Sequence, residues 1–342
     1  MRMPGTVASV VRKLAIAGLI TTLCFVRLTG AVSAQTDALP SWNAGLVKQR
    51  IIDFVGRVTK DGGADFVPEA HRIAVFDNDG TLWAEQPIYS QFQYAIDQVS
   101  ALAPAHPEWS SKEPFKGILA GDTKAALASG ERGVAELMAV THSGMTTEAF
   151  GITVDKWLED ARHPTTHRPY TQMVYQPMLE LMKFLRANGF KTFIVSGGGV
   201  EFMRRFAERV HGIPPEQVVG SSGTVKFEMD AEGRPLLVKE STIDFIDDGP
   251  GKPVGINRFI GRRPILAFGN SDGDQQMLEW TAAGEGPRFM GLVHHTDAAR
   301  EWAYDRKSPI GKLDKALTEA TAKGWMVVDM KADWKDVFPP EN

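Results

Sequence analysis

The sequence predicts an α/β fold, a doubly wound parallel sheet of Rossmann-like type with an inserted helical cap. Three observations carry that expectation. Short apolar runs rich in β-branched and aromatic residues alternate with stretches of helical length, as in a sheet covered on both faces. Several of these runs lead directly into polar or glycine-rich turns. One long stretch, residues 85–176, breaks the alternation.

The candidate strands are Ile73–Phe76, Thr192–Val195, Pro264–Phe268, Phe289–Val293 and Trp325–Val328. Their near-continuous apolar character marks strands buried on both faces. Between the strands, Pro177 opens a helix with apolar residues at Met178, Leu181, Met182 and Leu185, and Asn188-Gly189 stops it. A second helix is expected from Val200 through Met203, Ala207 and Val210 to Gly212. Thr224–Met229 and Pro235–Val238 read as a hairpin. Residues 85–176 hold amphipathic pieces such as Tyr89–Val99 and Gly133–Val140 but no convincing strand, and are expected to cap the strand ends. The core is then 35–84 and 177–342.

Residues 1–34 stand apart. Arg2, Arg12 and Lys13 precede an apolar stretch from Leu14 to Val26, and the segment closes on Val32-Ser33-Ala34. Basic, apolar and small residues in that order predict a secretory leader cleaved after Ala34, too short in its apolar part for an ordinary membrane span. The expected destination is the periplasm or the exterior, with no stable membrane association after cleavage. Cleavage would remove four basic and no acidic residues and move the formal charge from −4 to −8. Cys24, the only cysteine, would leave with it, which excludes disulfides and thiol catalysis in the mature chain. A mildly acidic chain without a basic run offers no grip on a nucleic-acid backbone. Oligomeric state is not legible.

In open sheets of this kind, sites form outside the carboxyl ends of the strands. Four segments there carry chemistry. Ile73–Phe76 runs into Asp77-Asn78-Asp79-Gly80-Thr81, which sets two carboxylates two residues apart. One can serve as a nucleophile and the other as a proton donor, or both can belong to a polar turn. After Val195 comes Ser196-Gly197-Gly198-Gly199, whose backbone N–H groups and hydroxyl suit an anion if a helix starts there. Lys252 lies in a turn-rich segment and offers an ammonium, with Lys239 as its competitor. The candidate strand Pro264–Phe268 leads into Gly269-Asn270-Ser271-Asp272-Gly273-Asp274, rich in the oxygen donors that suit magnesium.

Taken together and in this order, these segments resemble the haloacid dehalogenase (HAD) superfamily of aspartyl-phosphate phosphatases, over about Ile73 to Val293. The serine-glycine pair and the hairpin before Lys252 look most like its phosphoserine phosphatase branch. The resemblance implies Asp77 as nucleophile, Asp79 as general acid and then base, and Lys252 as the charge clamp. It implies Thr81, Ser196, Gly197 and Gly198 on the phosphate and Mg2+ as cofactor. Glu85 stands near the place of a substrate-contacting glutamate, with a helix-start acid as its other reading. Asn270 occupies a position where the family carries aspartate. The implied metal set is thus Asp77, Asp79, Asn270 and Asp274, with Asp272 as a competitor. The expected function is a magnesium-dependent phosphomonoesterase acting on a small exported metabolite. The alternative is a secreted binding protein for a phosphorylated solute, with the same fold and little turnover.

Overall fold

A computed structural model describes residues 37–122 and 130–340. The leader segment and Cys24 lie outside the described residues. Eight strands form one sheet: β1 Ile73–Phe76, β2 Lys191–Gly199, β3 Val218–Met229, β4 Pro235–Phe245, β5 Leu266–Gly269, β6 Phe289–Thr296, β7 Ala303–Tyr304 and β8 Met326–Asp329. Their order is β4-β3-β2-β1-β5-β6-β7, with β8 also beside β6. All pairs are parallel except β3 with β4 and β6 with β7. β1 therefore sits in the middle and carries its following loop to the centre of the sheet's edge.

Successive residues of each central strand point to opposite faces. Ile73, Val75, Phe193, Val195 and Ala267 join one core cluster with Met277, Leu278 and Ala316 from the helices beyond. Ala74, Phe76, Ile194, Leu266 and Phe268 join the other, with Phe54, Met178, Leu181 and Leu185. Two buried faces explain why these strands are apolar throughout.

Between β1 and the helix Gln176–Ala187 that precedes β2, the described residues form the helices Ser90–Leu102, Phe115–Leu119, Gly130–His142 and Thr147–Asp160, with short 3-10 turns. Phe150, Val154, Trp157 and Leu158 of the last helix belong to the main core cluster, so this part of the insertion is continuous with the sheet's own core. Ile88, Phe92, Ile96, Trp109 and Phe115 form a satellite cluster.

Three sequence expectations change in detail. Gly197–Gly199 do not open a helix: they continue β2 with a register shift between Ser196 and Gly199, and the helix that follows is only Val200–Arg204. The helix expected from Val200 to Gly212 is two short ones, Val200–Arg204 and Ala207–His211. The hairpin is longer than expected because β3 begins as a core strand, pairing Val218 and Val219 with Ile194 and Val195, before turning into the hairpin. Among the described residues no helix is long and apolar enough to cross a membrane.

Candidate active site

The loop after β1 is wound tightly on its own backbone. The Asn78 carbonyl accepts from the N–H groups of Thr81, Leu82 and Trp83 at 3.2, 2.8 and 3.2 Å, and Gly80 N–H donates to the Trp83 carbonyl at 2.8 Å. Gly80 has φ 74°, and a Cβ there would run into the side chains of Asn270 and Glu85. Only glycine meets both conditions. Trp83 Nε1 donates to Asp79 Oδ1 at 2.9 Å, which fixes the second carboxylate.

Lys252 lies on the one-turn helix Gly251–Gly255 and is buried. Its Nζ donates to Asp77 Oδ1 at 2.7 Å, Asp274 Oδ1 at 2.6 Å and the Val195 carbonyl at 3.0 Å. One ammonium thus ties together the ends of β1, β2 and β5. Burial works against its charge, but Asp274 and Asp77 hold the ammonium well above the usual lysine range. The competitor Lys239 is placed elsewhere: it pairs with Glu201, and its ammonium lies 4.7 Å from the centre of the Phe150 ring.

Burial raises the Asp77 carboxyl, and Asp274 adds to the effect against the pull of Lys252. Burial also raises Asp79, against hydrogen bonds from Trp83 and Asn78. Both groups line the floor of a cavity with Ser196, Gly197, Gly198, Lys252 and Ser271. Glu85 lines it too, but in a loop five residues before the helix Ser90–Leu102, so it is not a helix-start acid. Its Oε1 accepts from Asn270 Nδ2 and from Tyr304 OH, both at 2.7 Å, and burial pushes its carboxyl up to about 8.

Several expected site residues are committed to the scaffold. Thr81 is fully buried and donates to Asn270 Oδ1 at 3.0 Å, so its hydroxyl supports the loop and does not line the cavity. Asp274 Oδ2 accepts from the N–H groups of Asn270 and Ser271 at 2.9 and 3.0 Å, while its Oδ1 faces Lys252. Asp272 Oδ1 accepts from the N–H groups of Asp314 and Ala316 at 2.9 and 3.0 Å, at the start of the helix Lys315–Lys323. Asp272 thus caps a helix through one oxygen and is not among the residues that line the cavity.

His295, outside the four segments singled out from the sequence, supports the loop after β1. It is buried, donates from Nε2 to the Gly80 carbonyl at 2.8 Å and sets Nδ1 3.0 Å from Glu301 Oε2. Burial opposes its charge, yet Glu301 raises the imidazole, and through the Gly80 carbonyl the ring braces the loop. Tyr175 OH donates to the other Glu301 oxygen at 2.8 Å. His294 faces the opposite way, toward Asp305, as adjacent strand residues must.

Among the described residues, no three carboxylate, histidine or cysteine side chains converge closely enough to hold a metal ion unaided. The donors nonetheless fit magnesium, which uses one or two carboxylates and keeps several waters. Asp77 and Asp79 both line the cavity beside Lys252, and burial raises both carboxyls, so a cation next to them would offset the cost of their charge. Asn270 and Asp274, whose oxygens already accept protein hydrogen bonds, would brace the loops around such an ion.

A doubly wound sheet with paired carboxylates, a buried lysine and a glycine segment at its carboxyl edge defines a hydrolase that works on an anionic group. Residues 74–279 match the family model of the haloacid dehalogenase-like hydrolases. The chain belongs to that family. No curated protein matches the sequence. Solved structures similar in fold include a protein of unknown function from Bordetella pertussis Tohama I, 15% identical over 76% of this chain and 99% of that one, with TM-score 0.47. A conserved functionally unknown protein from Anaerococcus prevotii DSM 20548 is 16% identical over 85% and 94%, with TM-score 0.49. A phosphoserine phosphohydrolase-like protein from Francisella tularensis subsp. tularensis SCHU S4 is 17% identical over 65% and 87%, with TM-score 0.36.

Proposed function

We propose that the protein is an exported, magnesium-dependent phosphomonoesterase that forms a covalent aspartyl-phosphate on Asp77. The observation that carries this reading is the placement of Asp77 and Asp79 on the floor of one cavity, with the Lys252 ammonium 2.7 Å from the first. Asp77 attacks phosphorus; the bond from phosphorus to the leaving oxygen breaks, and Asp79 gives that oxygen its proton. Burial raises the Asp79 carboxyl, the direction that suits a proton donor. Asp79, now ionised, takes a proton from the water that attacks the aspartyl-phosphate, and Asp77 is released with phosphate. Lys252 balances charge on Asp77 and the phosphoryl oxygens throughout. Ser196 and the backbone of Gly197 and Gly198 border the space where the phosphoryl group would lie. A magnesium ion held by the Asp77 carboxylate and an uncharged oxygen of Asp79 would keep the nucleophile ionised and screen it from the phosphate.

The test is phosphate release from a panel of phosphomonoesters by the purified chain, with magnesium and with chelator. Turnover is expected only with the metal, and Asp77→Asn should abolish it with the fold intact. Stoichiometric binding of an ester without turnover would instead support the binding-protein reading. Export is supported by the basic, apolar and small residues of the leader, and the protein recovered outside the cytoplasm should begin at Gln35 on N-terminal sequencing.

A further inference from the structure

The cavity above Asp77 and Asp79 has a volume of about 760 Å3. At roughly 30 Å3 per water in the liquid, that is room for about 25 waters. A phosphoryl group with a three-carbon leaving group fills well under half of it. The rest lies between Phe92 and Met138 on the cap side and Ser241 and Ile243 of β4 on the other. These two walls are stitched together. Gly144 N–H donates to the Lys239 carbonyl and Lys239 N–H to the Met145 carbonyl, both at 2.9 Å, and Thr146 bridges Val238.

The charges along this outer part are spoken for. Lys239 and Glu201 neutralise one another, and breaking a mostly buried pair leaves each charge stranded. His142 is neutral, since burial pushes its imidazole down to about 3, and Gln91 Nε2 lies 3.2 Å from its Nε2. Glu240 borders the cavity but is exposed to solvent, and Asp248 sits beside Gly197 and Gly273 at the phosphoryl end. Among the described residues a charged leaving group would find no unpaired, desolvated partner, whereas an apolar one gains about 25 cal/mol for each Å2 it buries.

We infer that the substrate is a phosphomonoester with a bulky, uncharged, largely apolar leaving group seated between Met138 and the Ser241–Ile243 segment of the hairpin. This rests on the phosphatase reading above. The full-length chain with magnesium should be assayed on benzyl phosphate against ethyl phosphate, phosphoserine and phosphocholine. Benzyl and ethyl phosphate have leaving groups of similar basicity, so their ratio reports the pocket. Expected is a kcat/KM for benzyl phosphate about tenfold or more above those for ethyl phosphate and phosphoserine. Met138→Trp and Ser241→Trp, which fill the space from opposite walls, should each raise KM for benzyl phosphate by about tenfold and leave ethyl phosphate within about twofold. Preference for phosphoserine or phosphocholine, or equal losses on both esters in the two variants, would overturn the inference and leave the phosphatase reading standing. If no ester is hydrolysed, both readings fall.

Discussion

Lys252 holds Asp77 and Asp274 by hydrogen bonds of 2.7 and 2.6 Å, so one buried cation serves two buried carboxylates. Removing it strands both. Lys252→Met should therefore lose activity and also about 3–5 kcal/mol of stability, measured by urea unfolding. Asp77→Asn should lose activity without that penalty, because an amide relieves repulsion from Asp274 and leaves Lys252 its other partner. Equal stability losses in the two variants would mean the ammonium is not the clamp. Asp272 makes a contrasting case. The sequence presents it as an oxygen donor among others in a polar turn, but it holds the backbone amides of Asp314 and Ala316. Asp272→Ala should cost about 0.5–2 kcal/mol, as lost helix caps do, with the magnesium dependence of turnover unchanged.

At the scale of elements, what could be read depended on whether the cause was local. β1 was legible to the residue because Ile73–Phe76 is buried on both faces and ends at a polar turn. The start of β3 was not, since Val218, Val219 and Gly220 make a strand only through pairing with β2, and the register shift there leaves no mark in the sequence. The same shift explains why Ser196–Gly199 looked like a helix start. The positions of Asp77, Asp79 and Lys252 were legible from residue type and order. The roles of Asn270, Asp274 and His295 were not, because each is set by a partner distant in sequence or by backbone amides. Gly80 shows the coupling between loop and support: its positive φ and its closeness to Asn270 and Glu85 leave no room for a side chain. Gly80→Ala should destabilise the chain by at least about 1 kcal/mol and depress turnover far more, since it displaces the loop carrying both aspartates. Full activity in that variant would show that the loop need not hold this conformation.

Over the whole molecule, the two-faced sheet buries ionisable groups on both sides of the balance, and they pull stability in opposite directions with pH. His211 lies against Trp83 and Phe206, its ring nitrogens have no hydrogen-bond partner, and burial pushes its imidazole down to about 3 from 6.5. Between those two values the unfolded chain binds a proton that the folded chain refuses, so at this group stability rises with pH and is lost as pH falls below about 6.5. Glu85 and Asp247 act the other way. Burial raises them to about 8 and about 7, so the folded chain holds protons the unfolded chain has released, and their contribution is lost as pH rises through those values. The net slope is a difference, and one substitution isolates one part of it. His211→Leu keeps the volume and apolar contacts but removes the proton site. On going from pH 6.5 to 5.0, the variant should lose about 1–2 kcal/mol less stability than the parent chain, in urea unfolding at each pH. Parallel pH profiles for the two proteins would mean that the folded chain accepts the proton on His211, and that the histidine is not sealed from water behind Trp83.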